Sequence, residues 1–143
     1  MFERLFPRHA PKKPELPEPD AQLALGALLV RVAFADRSYS ASEVGVIDDI
    51  LSQIYDLGPI DAAKLRATCE ALERDAPGTP DFAEILRDEI DYEHRKDVAN
   101  AMWQVVYADG RKKQIEEAVL HQIEAALGIT PGDSAALQAR WDC

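Results

Sequence analysis

The sequence predicts an all-α protein, a bundle of about seven helices in which two halves are related by an internal pseudo-twofold duplication. Apolar residues recur at helical spacing through residues 20–143, and no stretch alternates long enough to indicate a strand. One helix–loop–helix pattern occurs twice, 73 residues apart, as VAFADRSYSASEVGVIDDIL from Val32 and VVYADGRKKQIEEAVLHQIE from Val105. We expect such paired helices to bury their matching apolar stripes against each other.

Residues 1–19 are rich in proline and predict an extended tail ahead of a single helical domain over residues 20–143. Residues 1–13 carry a local charge of +3, opposite in sign to the rest of the chain. The opening MFERLF has the pattern of an amphipathic turn that docks on the body or on a partner, and a frayed terminus is the simpler interpretation.

The first two helices have recognisable beginnings. Helix one is predicted to start at Asp20 as N-cap and to run to about Ala35, with an inward stripe of Leu25, Leu28, Leu29 and Val32. Helix two is predicted to follow Ser40, because Glu43 stands three positions on and completes a capping box. Its apolar stripe comprises Val44, Ile47, Ile50, Leu51 and Ile54.

The remaining helices are bounded by proline and glycine. Helix three is predicted near Pro59 and turns Leu65, Cys69 and Leu72 inward, until DAPGTP at 75–80 breaks it. Thr79 then caps a short fourth helix, and helix five covers about Tyr92 to Ala108. Helix six is predicted over about 114–127 with Gly128 after it, and a last helix follows Pro131.

Composition and charge limit the classes of function that the chain can have. The chain of 143 residues has a net charge of -10, which argues against nucleic acid and suits a cation or a basic partner, although solubility alone also accounts for it. No apolar run approaches the roughly 18–20 residues of a membrane span, and the N-terminus lacks a signal-peptide pattern, so we expect a cytoplasmic protein. Cys69 and Cys143 give neither a disulfide framework nor zinc spacing.

The candidate site is the acidic pair that both copies of the motif share. Asp36 and Asp109 end one helix, and Glu43 and Glu116 begin the next. Capping and turn chemistry explain carboxylates at such positions without any ligand. If the four instead converge near the pseudo-axis, they predict a site for a partner or for a hard divalent cation, calcium or magnesium. The loops do not have the EF-hand ligand series.

No pattern in the sequence indicates an enzyme. The motifs G-x-S-x-G, P-loop and H-E-x-x-H are absent. His9, His94 and His121 are expected at the surface, and Cys69 on an apolar helix face is expected to be an inert core thiol. We therefore expect neither catalytic residues nor a required cofactor.

The two motifs, together with FAEILRDEIDYEHRKDVANAMWQV between them, resemble the tellurite-resistance TerB and TerB-like domain family over roughly residues 22–129. The resemblance implies a helical domain of two similar halves and a cytoplasmic or membrane-peripheral role in tellurite or general stress tolerance. It also implies that the family's acidic positions map onto Asp36, Glu43, Asp109 and Glu116, as a metal or partner site.

The chain departs from the family pattern in both loops. Arg37 replaces a glycine after the first aspartate, and Lys112 and Lys113 stand where an apolar residue and a cap are expected. Two lysines beside Asp109 compensate its charge without a metal. We therefore expect a non-enzymatic TerB-like interaction or scaffold module that presents an acidic loop surface to a basic or membrane-associated protein, with a calcium- or magnesium-binding protein as the alternative.

Overall fold

The computed structural model describes residues 20–35, 39–75, 81–108 and 114–142 of the chain. Within these ranges the protein is all-α and contains no strand. Its helices are α1 (Ala21–Ala33), α2 (Ala41–Tyr55), α3 (Pro59–Asp75), α4 (Asp81–Glu89), α5 (Tyr92–Val106), α6 (Gln114–Leu127) and α7 (Pro131–Asp142). The predicted fold class is therefore confirmed, and each predicted helix is present within a few residues of its expected bounds.

Helix α1 is the centre of the bundle, since it packs against α2, α3, α4, α5 and α6. The sequence predicted one inward stripe, but nearly the whole circumference is buried, including Ala24, Ala27 and Val30 on the other faces. A helix that is apolar all round belongs inside a protein, and its small residues allow neighbouring helices to approach closely. We expect α1 to be the element on which the rest of the core depends.

Helix α3 approaches α1 closely at Gly26. A Cβ atom built on Gly26 would lie 2.2 Å from Cys69 Sγ and 3.2 Å from Cys69 Cβ. Cys69 is fully buried, and its Sγ lies 3.7 Å from the Leu23 carbonyl oxygen. The expectation of a core thiol is confirmed, and its position explains why a glycine stands in the middle of α1.

The other helices contribute one face each to the same core. Helix α5 buries Trp103 completely, and α4 buries Phe82 and Leu86. Of the stripe predicted for α2, Ile47, Ile50 and Leu51 are buried, whereas Ile54 remains 48% exposed. Ile54 stands in the last turn of α2, where the helix borders a cleft described below rather than another helix.

Helix ends follow local chemistry. Asp20 caps α1 by accepting the Leu23 N–H at 2.9 Å, as predicted. Helix α1 ends at Ala33, two residues before the predicted end, because Phe34 already occupies the C-cap. Gly128 ends α6 with φ +79°, a conformation in which a Cβ atom is strained. The predicted cap Thr79 lies outside the described residues.

The two repeated segments share local geometry. At the end of α1, Phe34 N–H donates to the Val30 carbonyl at 2.9 Å; at the end of α5, Tyr107 N–H donates to the Trp103 carbonyl at 3.1 Å. The next residues, Ala35 and Ala108, donate in the same way to carbonyls three residues back, at 3.2 and 3.1 Å. These bonds are in register with the sequence repeat, while the duplication and its pseudo-twofold axis stay a prediction.

Candidate functional site

The first glutamate of the motif has a structural task at the start of α2. Ser40 Oγ accepts the Glu43 N–H at 3.1 Å, and Glu43 Oε1 accepts the Ser40 N–H at 2.8 Å. The predicted capping box is therefore confirmed. The Glu43 residue is only 1% exposed, so its carboxylate belongs to the interior of the helix junction rather than to an acidic surface.

The second glutamate occupies the matching place. Glu116 lies in the first turn of α6 and is fully buried. A carboxylate near a helix N-terminus is stabilised by the free amides there, typically by about 0.3–1 kcal/mol. The two aspartates of the motif, Asp36 and Asp109, lie outside the described residues, as do Arg37 and the Lys112–Lys113 pair. Convergence of the four carboxylates on one site therefore stays a prediction.

Beside the first loop, a hydrogen-bonded ion-pair network joins α2 to α3. Arg66 Nε donates to Asp48 Oδ1 at 2.5 Å, and Arg66 Nη1 donates to Glu70 Oε2 at 2.8 Å. The Tyr39 hydroxyl donates to the same glutamate oxygen at 2.6 Å, and burial raises the pKa of Tyr39. The ring of Phe34 packs on that of Tyr39 with centroids 4.4 Å apart. This network fixes the junction on which the first motif stands.

A cleft of about 400 Å³ adjoins that network, lined in part by Phe34, Tyr39 and Glu73. Burial raises the pKa of Glu73, and the nearby Arg31 opposes the shift. The cleft also includes Arg74, so its charge is mixed. The Tyr39 hydroxyl and Arg66 both donate to Glu70 Oε2, so these three groups satisfy one another within the network.

A second polar network connects α6 to α7. Ser134 Oγ donates to the buried Glu124 Oε1 at 2.6 Å, and His121 Nδ1 lies 3.0 Å from the same oxygen. Gln138 Nε2 donates to Glu117 Oε2 at 2.8 Å. His121 is half-exposed, and its ring meets the edge of a core tryptophan rather than a catalytic partner. These contacts explain the polar residues of α6 as packing and docking of the last helix.

An apolar concavity lies between α1, α2, α4 and α5, and we call it the α4–α5 cleft. Its volume is about 540 Å³. Its apolar wall is formed by Leu25, Ile54, Leu86, Ile90 and Val98. Three exposed carboxylates stand at its mouth, those of Asp20, Glu89 and Asp97. No lysine or arginine belongs to the lining that the described residues form.

The electrostatics of this cleft are negative. Burial raises the pKa of Tyr55 to about 12, and the Asp20 carboxylate adds to that shift. His94, also at the mouth, lies 2.6 Å from Asp91, and this hydrogen bond raises the pKa of His94 above its usual value. The cleft therefore combines an apolar interior with an anionic mouth, a combination that favours an apolar group carried beside positive charge.

Sequence reasoning missed this cleft. The segment DYEHRKD at 91–97 was interpretable as the solvated start of α5, which is where the structure places it. The sequence pattern does not show that α5 lies near Ile54, which stands in the last turn of α2. The one available signal was Ile54 itself, an apolar residue in the final turn of a helix.

Metal ligands and membrane spans can be judged within the described ranges. There, no group of three or more His, Cys, Asp or Glu side chains has the spacing to hold a metal ion. Nor do any of the helices over 20–35, 39–75, 81–108 and 114–142 combine the length and apolarity needed to cross a bilayer.

Comparison with known proteins gives one result. A family model described as "Tellurite resistance protein TerB" matches residues 22–139, which is most of the chain. No curated protein and no solved structure matches.

Proposed function

The chain belongs to the TerB family, and on this premise we propose that it is a non-enzymatic interaction module that binds a basic protein segment. We expect this role to belong to tellurite or general stress tolerance, because the family is described by tellurite resistance and the sequence favours a cytoplasmic setting. The proposal is supported by one observation above others: an apolar cleft with carboxylates at its mouth and no lysine or arginine in its described lining.

The cleft matches a short amphipathic segment better than a polar metabolite. Its wall offers side chains such as Leu86 and Val98 but few hydrogen-bonding groups. Burial of one large apolar side chain there contributes roughly 1.5–3 kcal/mol. Cations beside that side chain would meet Glu89 and Asp97, and such charge pairs mainly speed association and select the partner.

The protonation state of Cys69, the candidate nucleophile, agrees with a non-enzymatic role. Burial raises the pKa of the Cys69 thiol to about 12, so it is protonated at neutral pH. A reactive cysteine needs the opposite shift. The histidines in the described ranges, His94 and His121, bond to carboxylates of their own helices or helix caps.

Charge reversal at the cleft mouth tests the proposal. The full chain with Glu89→Lys and Asp97→Lys is compared with the wild type in quantitative pulldowns from cell lysate. We expect the wild type to retain basic or membrane-associated proteins that the mouth variant loses, because two attractive charges have become repulsive.

A control variant carries the same change in charge elsewhere. Asp49 and Glu84 are exposed carboxylates that do not line the cleft, so Asp49→Lys with Glu84→Lys should leave the captured set unchanged. Equal capture by all three proteins, or equal loss in both variants, would contradict a specific role of the cleft.

A second candidate function is binding of calcium or magnesium by Asp36, Glu43, Asp109 and Glu116. It is favoured by the burial of Glu43 and Glu116 at matching positions beside the two repeated loops. Hard divalent cations take oxygen ligands at about 2.0–2.6 Å, so all four carboxylates would have to meet around one ion or two close ones.

Metal titration decides this candidate separately. Calcium and magnesium are added to the full chain while backbone amide signals are followed by NMR. Binding should shift the amides of Asp36 and Asp109 in a saturable way, and Glu116→Gln should weaken the response. Unshifted Asp36 and Asp109 signals at millimolar metal would rule it out.

A further inference from the structure

We propose that the α4–α5 cleft is a docking site for the chain's own N-terminal segment, Met1–Phe6. This inference rests on the proposed function and deepens it, because the segment would compete with a partner for the same cleft. Three independent properties of the cleft and of the amino-acid sequence support it.

The first property is apolar surface left uncovered at the cleft. Ile54 is 48% exposed although it lies on the apolar stripe of α2, and Ile90 is only partly buried. Both line the cleft above the buried side chains of Leu86 and Val98. A volume of about 540 Å³ is sufficient for two or three large side chains.

The second property is charge. The mouth carries the carboxylates of Asp20, Glu89 and Asp97. Residues 1–13 contain Arg4, Arg8, Lys12 and Lys13 against Glu3, a local +3. The rest of the chain is strongly acidic, so residues 1–13 are the part of this molecule with the sign that the mouth attracts.

The third property is the arrangement of apolar residues in that segment. Phe2, Leu5 and Phe6 are spaced i, i+3 and i+4, which one helical turn places on a single face. Three large side chains on one face correspond to the size of the cleft. Arg4 and Arg8 fall outside that set and remain available for the carboxylates at the mouth.

Connectivity makes even a weak contact effective. Asp20 stands at the mouth and is also the residue at which the tail joins α1. Residues 7–19 lie between it and the segment, and at about 3.1 Å per residue in a proline-rich chain they span up to roughly 40 Å, enough to return to the cleft. Such a tether gives an effective concentration on the order of millimolar.

The test uses methyl NMR of the full chain. The variant Phe2→Ser/Leu5→Ser/Phe6→Ser removes the apolar face of the segment and leaves every residue of the described core unchanged. We expect the methyl signals of Ile54, Leu86, Ile90 and Val98 to shift, and those of Leu120 and Leu137 elsewhere in the core to stay unchanged.

Two matched controls separate docking from general effects. Leu16→Ser changes an apolar residue of the same tail outside the segment and should leave the cleft methyls unshifted. In the reverse experiment, Ile54→Ser in the cleft should shift the backbone amide signals of Phe2 and Phe6. Ile60→Ser should leave these signals unchanged, because Ile60 is 72% exposed and outside the cleft lining.

Each outcome of this experiment either supports the docking proposal or overturns it. Shifts in the cleft methyls that are unchanged on dilution support docking within one chain. Shifts that disappear on dilution mean that a second copy supplies the segment, and unshifted cleft methyls mean that the cleft is open; either result overturns the proposal. The NMR readout needs no partner. Equal capture by the wild type and the mouth variant would therefore contradict the proposed function and still leave this measurement interpretable.

Discussion

The contact between Gly26 and Cys69 shows how one missing side chain sets the distance between two helices. Both residues are central in the core, and the sulfur occupies the place that a Cβ atom on Gly26 would need. Glycine inside a helix is unfavourable by roughly 0.5–1 kcal/mol relative to alanine, so its presence in α1 reflects packing.

Gly26→Ala is therefore expected to destabilise the protein. The added Cβ atom would lie 2.2 Å from Cys69 Sγ, and relieving that overlap in a packed core typically costs about 1–3 kcal/mol. The measurement is urea unfolding followed by circular dichroism. Gly45→Ala is the control, since Gly45 is an exposed helical residue with nothing near its Cβ position, and it should be neutral or stabilising. A Gly26→Ala protein as stable as Gly45→Ala would contradict the packing argument.

Burial of the Cys69 thiol also gives a pH dependence. Its pKa rises from 9.0 to about 12 on folding, chiefly through desolvation. Between these values the unfolded chain has lost the proton while the folded chain keeps it, so stability falls as pH rises, by at most about 1.4 kcal/mol per pH unit. Unfolding free energies measured in urea from pH 8 upward should show this decline, and Cys69→Ala should reduce its slope. An unchanged slope would assign the alkaline loss to other groups.

Helix starts could be derived from the sequence because a cap is local. Ser40 and Glu43 are three residues apart, and the structure shows both of their reciprocal bonds. The same locality made the beginnings of α1 and α7 readable from Asp20 and Pro131. The central position of α1 could not be predicted in this way, because an apolar stripe indicates which face of a helix is buried but not how many helices surround that helix.

The cap of α2 predicts a clear mutational contrast. Ser40→Ala removes the oxygen that accepts the Glu43 N–H and should cost about 0.5–2 kcal/mol of unfolding free energy. Ser42→Ala, two residues later at an exposed helical position, should be neutral or slightly stabilising because alanine is the better helix former. Urea denaturation of the two variants decides it, and equal losses would mean that the capping box contributes nothing particular.

For the molecule as a whole, membership in the TerB family and the all-α class followed from a repeated motif and from periodicity. The α4–α5 cleft did not, because its wall brings Leu25 and Ile54 together with Val98, residues far apart in sequence. A single sequence contains no information on such distances. The residues of the predicted site have different outcomes. Glu43 is a buried capping residue, whereas Asp36 and Asp109 lie outside the described residues.

The central position of α1 predicts how the bundle opens. Helix α1 packs on α2, α3, α4, α5 and α6, whereas α7 packs mainly on α5. Native-state hydrogen exchange should therefore find the slowest amides in α1, exchanging only on global unfolding, and faster exchange in α7 through local opening. Amides of α1 that exchange as fast as those of α7 would show that the core is not organised around α1.

Asp20 belongs both to the cap of α1 and to the lining of the α4–α5 cleft. Its carboxylate accepts the Leu23 N–H at 2.9 Å as the cap of the central helix, and it also stands at the mouth of the cleft. A cation that draws this carboxylate away would lengthen the cap bond, so the Leu23 amide becomes a spectroscopic reporter of occupancy. Asp20→Asn separates the two roles, because asparagine caps a helix about as well as aspartate while carrying no charge. The proposed recognition at the cleft and the stability of α1 can thus be measured independently in the same molecule.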